Sequence, residues 1–110
     1  MSYEREHLVS FVVARLQAEP RVSLNRLAAE RKVHRHTLAR ALDKLGFGTF
    51  SDLQTRHLEQ AIQNTLQSGR SESIKEAAQQ IGYAKPASLA RRTMRLMGKS
   101  PTALRRRNDA

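Results

Sequence analysis

Two stretches of this 110-residue chain gather hydrogen-bond donors without acids. Residues 31–40 hold Arg31, Lys32, Arg35, His36 and Arg40, and residues 85–107 hold eight basic residues and no acidic one. A guanidinium is a planar fork of donors that pairs bidentately with phosphate oxygens or with O6 and N7 of guanine. An ammonium is a point charge suited to phosphate, and a neutral imidazole both donates and accepts at a base edge. Surfaces of this kind are chemistry for a polyanion.

The whole chain has the same bias. Twenty Lys+Arg stand against 10 Asp+Glu, a formal net charge of +10, which favours attraction to nucleic acid or to an anionic membrane surface. A disordered basic tail would carry the same charge, but 39% of this chain is hydrophobic and the apolar residues recur at helical spacing, which argues for a folded domain. The absence of cysteine removes disulfides, thiolate zinc sites and cysteine nucleophiles together, and it suits a reducing cytoplasm. A cytoplasmic, nucleoid-associated protein is expected.

Catalysis is not expected, because the chain has no glycine-rich phosphate loop and no Ser/His/Asp arrangement with supporting context. No cofactor is implied. His34 and His36 invite a metal reading, but they lie two residues apart on a turn with no third ligand, so no metal site is expected. The apolar stretch at residues 8–14 is short, interrupted by Ser10 and preceded by Glu4 and Glu6, unlike a signal peptide. Nothing approaches the length of a membrane span, and the basic residues lack interleaved Trp or Phe, which disfavours a membrane partner.

The elements that must position these donors are helical throughout. Leu8, Phe11, Val12 and Leu16 mark one apolar face of a helix over residues 3–18, which Pro20 closes. Ser23 is a good N-cap for a short helix over 24–31 carrying Leu27 and Ala28. Residues 31–34 read as a turn, and a helix from Arg35 carries Leu38, Ala41, Leu42 and Leu45 before Gly46 and Gly48 end it. Ser51 with Gln54 reads as a capping box opening a long helix to about Ser68, with Gly69 and Ser71 at its end. Ser73 with Glu76 is a second box, starting a short helix that Gly82 stops. Pro86 suits the first position of the next helix, which Gly98 ends, and Ser100-Pro101 caps a last short one. The pattern of short helix, tight turn and longer helix thus occurs at residues 24–45 and again at 74–97.

A helix-turn-helix places its second helix where a DNA major groove can receive it. With Leu38, Leu42 and Leu45 inward, Arg35, His36, Ala39, Arg40 and Asp43 face out; the first four are the expected base readers, with Arg31 and Lys32 on phosphate. With Leu89, Thr93 and Leu96 inward, Ala87, Ser88, Arg91 and Arg95 are the base readers of the second unit, with Lys85, Arg92 and Lys99 on phosphate. A connector of about 18 residues spans roughly 27 Å, compatible with major-groove faces about 34 Å apart.

The residues carrying this pattern also carry a resemblance. Leu38-Ala39-Arg40 with Leu42 and Gly46, Leu58-Glu59-Gln60-Ala61, Ile74-Lys75-Glu76-Ala77-Ala78 with Ile81-Gly82-Tyr83, and Gly98-Lys99-Ser100-Pro101 with Leu104-Arg105 resemble, in order and spacing, the AraC/XylS type of DNA-binding domain. In length the chain is similar to its stand-alone MarA/SoxS-like members, which lack an effector domain. The resemblance implies an all-α fold of about seven helices and two helix-turn-helix units joined by a long helix. It implies a monomer on DNA, base reading at His36, Ala39, Arg40, Ala87, Ser88 and Arg91, and activation through RNA polymerase. The chain departs from the family where Phe is common at Leu42, Leu89 and Thr93, and where basic residues are common at Asp43 and Met94. The second unit is therefore expected to pack more loosely and to contribute less specificity.

The expected organisation is an N-terminal helix and first unit at 1–49, a connector at 50–69, and a second unit with a short C-terminal helix at 70–110, forming one DNA-binding module. The start at Met1 favours a complete chain over a piece of a larger effector-responsive regulator. Sequence-specific binding to double-stranded DNA is the leading expectation. Non-specific nucleic-acid binding is the alternative that charge alone would support. A protein-interaction module using residues 3–18 or Met94 and Met97 is a further one, although methionines at this spacing are expected to be core.

Overall fold

The computed structural model describes the backbone of residues 2–67 and 73–109 and the side chains of residues 4–67 and 73–105. Among the described residues there are seven helices and no strand: α1 (Ser2–Ala18), α2 (Leu24–Arg31), α3 (Arg35–Lys44), α4 (Phe50–Gln67), α5 (Ile74–Ile81), α6 (Pro86–Met97) and α7 (Pro101–Asp109). The expected all-α class and helix count hold. The expected stops at Ser68, Gly69 and Ser71 lie outside the described residues. The chain divides into two compact units, Met1–His57 and Leu58–Ala110, so the division falls inside α4.

In the first unit, α1 and α2 both pack on α3. Val9, Val12 and Leu16 of α1 form one stripe at helical spacing, and they are buried with Val22, Leu27, Ala28, Leu38, Ala41, Leu42 and Leu53. Leu42, where the family commonly has Phe, is fully buried. Polar contacts brace the same junction from outside. Arg15 of α1 forms a fork on Glu30 of α2, Nε to Oε1 at 2.8 Å and Nη2 to Oε2 at 2.9 Å. Glu19 completes the network by accepting from Arg26 Nη1 at 3.0 Å. The bond from Arg15 holds the Glu30 carboxyl below its ordinary value, against the opposing effect of desolvation.

The start of α4 corrects one expectation. Its cap is Thr49, whose hydroxyl accepts from the Asp52 N–H at 3.0 Å, and not Ser51. Gln54, expected to complete a capping box, instead donates through Nε2 to Pro20 O at 3.0 Å and Val22 O at 2.7 Å. It thereby satisfies two carbonyls of the α1–α2 connection, groups that would otherwise be costly to leave unpaired in a partly buried place.

The second unit is built on Leu58, Ile62 and Leu66 of α4. Ala77, Ala78 and Ile81 of α5, Tyr83, Leu89 of α6 and Leu104 of α7 close over them. Thr93 is fully buried here, and its hydroxyl donates to Leu89 O at 2.7 Å. A threonine can bond to the carbonyl one turn back in this way, which satisfies the hydroxyl without a cross-helix partner. Met97 packs against this core, but Met94 is 51% exposed. The expectation that both methionines are core is therefore wrong for Met94. It follows the buried Thr93 by one residue, a rotation of about 100° that turns it away from the core.

Candidate nucleic-acid interface

Each unit makes its turn by the same device. In the first, Lys32 takes the left-handed conformation at φ 58° and its N–H reaches back to Ala28 O and Ala29 O, while Val33 N donates to Ala28 O at 3.0 Å. In the second, Gly82 is left-handed at φ 110° with its N–H on Ala78 O and Gln79 O, and Tyr83 N donates to Ala78 O at 2.8 Å. This closure satisfies the last carbonyls of the short helix. The residue after it is then drawn onto the core, where Tyr83 is buried and Val33 is half-buried. The sharp reversal lets α3 and α6 start at once.

A side-chain cap sets the first turn of α3, and a proline that of α6. Helix α3 begins after His34, whose ring Nδ1 accepts the N–H of His36 at 3.2 Å. Helix α6 begins after Lys85, which supplies no side-chain cap, and Pro86 sits at its start, where its missing N–H costs nothing and its fixed φ suits the helix. His34 falls in the turn by sequence and has no expected role. Histidine stands outside the Ser, Thr, Asp and Asn pattern that reveals a cap in a sequence, so the signal was a weak one.

Most of the two faces follow the expectation, although Leu45 and Leu96, expected inward, are only half-buried. On α3, Leu38, Ala41 and Leu42 are buried; Arg35, His36, Arg40 and Asp43 are exposed and Ala39 is half-buried. On α6, Leu89 and Thr93 are buried; Ala87, Arg91 and Arg95 are exposed and Ser88 is half-buried. His36 and Arg40, four residues apart, stand one turn apart on the same face of α3, and Ala87 and Arg91 do the same on α6.

The expected phosphate contacts are more varied. Lys32 and Lys85 are exposed, whereas Lys99 and Arg92 are half-buried. The Nε of Arg92 is enclosed without a hydrogen-bond partner. Arg31 is exposed, but its guanidinium lies 5.5 Å from the centre of the Phe11 ring, a cation–π distance. No group of three or more His, Cys, Asp or Glu able to hold a metal occurs among the described residues. No helix among them is long and apolar enough to cross a membrane.

The family model for a helix-turn-helix domain matches residues 27–107, which takes in both turns and both second helices. This chain belongs to the AraC-type helix-turn-helix family. Solved structures share the fold of this AraC-type domain. The C-terminal domain of AraT, a response regulator from Geobacillus stearothermophilus, superposes with a TM-score of 0.76 at 22% identity, covering 91% of this chain and 84% of that one. The DNA-binding domain of AdpA, a global transcriptional factor solved with a target DNA, gives 0.70 at 22% identity over 94% and 90%. A DNA-binding transcriptional dual regulator from Escherichia coli K-12 gives 0.66 at 22% identity over 91% and 96%. No curated protein sequence matches the chain.

Proposed function

We propose that this AraC-type domain binds double-stranded DNA sequence-specifically as a monomer and regulates transcription, with α3 and α6 each entering a major-groove segment. One observation carries the proposal: both left-handed turns lead into a helix whose inward face is buried and whose outward face presents an exposed arginine, Arg40 on α3 and Arg91 on α6. The solved complex of AdpA with its target DNA supports the same partner.

In this proposal Arg40 and Arg91 pair bidentately with guanine, the commonest specific contact in a major groove. Arg35, His36, Ser88 and Arg95 add polar contacts to base edges, and Ala39 and Ala87 offer a methyl surface that suits thymine. Arg31, Lys32, Lys85, Arg92 and Lys99 set register on phosphates, with Arg31 exchanging its place over Phe11 for a phosphate oxygen. Activation through contact with RNA polymerase belongs to the same proposal, and cytoplasmic residence with the nucleoid follows from it.

Selection of binding sites from a random double-stranded pool tests the proposal. A two-part consensus is expected, with affinity for it exceeding random-sequence affinity by about 10³ or more at fixed salt. A ratio near one would instead identify a non-specific nucleic-acid-binding protein, for which the charge of +10 suffices.

A further inference from the structure

We infer that His34 is a positioning residue for base reading by the first unit, acting on His36 through a helix cap and a ring stack. The inference rests on the proposal that His36 reads a base. His34 is tied to His36 twice. Its Nδ1 accepts the His36 backbone N–H at 3.2 Å, and the two rings stack with centroids 4.8 Å apart and planes inclined by 18°. The cap residue has the extended backbone this role requires, φ −75° and ψ 145°, and its carbonyl takes the Thr37 N–H at 2.9 Å.

The chemistry of the pair is specific. To accept from an N–H, Nδ1 must present its lone pair, so the His34 proton sits on Nε2. The cap holds the first turn of α3, and the stack limits the rotamers open to the His36 imidazole before any DNA arrives. Ordering a side chain beforehand removes part of the entropy lost on binding. The caps at Ser23, Thr49, Ser73 and Ser100 use hydroxyls, which satisfy an N–H but offer no planar face. An imidazole at position 34 does both, at the helix end that carries a proposed base reader.

Three substitutions separate the two actions. His34→Asn keeps a capping oxygen and loses the ring, His34→Phe keeps a ring and loses the cap, and His34→Ala loses both. The readout is the relative affinity for the four bases at the DNA position that His36→Ala identifies. Positions identified by Arg91→Ala serve as the internal control. His34→Ala is expected to flatten the preference at the His36 position by about fivefold, the size of having to order one side chain on binding, while preference at the Arg91 positions stays. His34→Asn and His34→Phe are each expected to lose less.

A merely structural role would lower the melting temperature or weaken both half-sites alike, leaving the base profile intact, and that outcome overturns the inference. Should His34→Ala not fold, His34→Asn, which retains a strong cap, carries the test: an unchanged profile in it and in His34→Phe overturns the inference as well. Long-range ¹H–¹⁵N spectra of the DNA-free protein above the imidazole titration range are expected to show His34 protonated on Nε2. A proton on Nδ1 overturns the cap. Preference elsewhere in the site without an effect of position 34 defeats this inference alone, whereas no base preference anywhere defeats the proposed function too.

Discussion

Lys32 and Gly82 hold the same place in the two helix-turn-helix units. Each ends the short helix in the left-handed region, at φ 58° and 110°, and each turns its N–H back onto two carbonyls of that helix. Glycine takes this conformation freely, whereas a residue with a Cβ is strained in it by about 1–2 kcal/mol. The first unit therefore carries strain that the second avoids, at a residue proposed to meet phosphate. Lys32→Gly is expected to raise stability by about 0.5–1 kcal/mol in chemical denaturation. It is also expected to weaken DNA binding evenly across sequences and to reduce the salt slope by about one. A destabilised Lys32→Gly variant would show that the lysine stem contributes packing that outweighs the strain.

Arg40 and Arg91 should behave as specificity residues. Arg40→Ala and Arg91→Ala are each expected to weaken binding to the selected site by roughly 1–3 kcal/mol and to relax preference only at the bases each one faces. Equal losses on random DNA, measured by titration at the same salt, would reassign them as phosphate contacts.

The core closes around Thr93 as a small side chain. The side chain is fully buried and bonded to Leu89 O, so restoring the phenylalanine common in the family overfills the site. Thr93→Phe is expected to lower stability by about 1–3 kcal/mol. Thr93→Val is expected to stay within about 1 kcal/mol, since its added apolar burial offsets the lost local bond. A stabilised Thr93→Phe variant would reveal slack in this core.

Stability should fall with acid in two steps. Burial, and then the charge of Arg56, holds the His57 imidazole below its ordinary value of 6.5. The unfolded chain thus takes up this proton first, and stability declines as pH falls below about 6.5. Glu30 is held below its ordinary 4.5, chiefly by the bond from Arg15. Its stabilising contribution is complete above that value and disappears as pH falls through the lower folded one. Thermal melts across pH are expected to lose the upper step in His57→Gln and the lower step in Glu30→Gln. Retention of both steps in these variants would move their origin to other groups.

The features legible from residue order alone are local. Ser23 and Ser73 bond to N–H groups three residues on, Gly82 and Gly98 end helices in the left-handed region, and Pro86 opens α6. These devices act within one turn of helix, so residue type and spacing were enough to place the elements. The same periodicity turned Arg40 and Arg91 outward. Tertiary structure decided the rest, because the partners are distant in the chain or their chemistry is ambiguous until packed. Gln54 meets Pro20 and Val22 across more than 30 residues, and Thr49, not Ser51, caps α4. Arg31 finds Phe11 from another helix, and Met94 leaves a core that its hydrophobicity would have given it. Even the pairing of His34 with His36, two residues away, depends on the fold: a ring can point anywhere from a turn, and only the folded backbone sets Nδ1 on an N–H and one imidazole face upon the other.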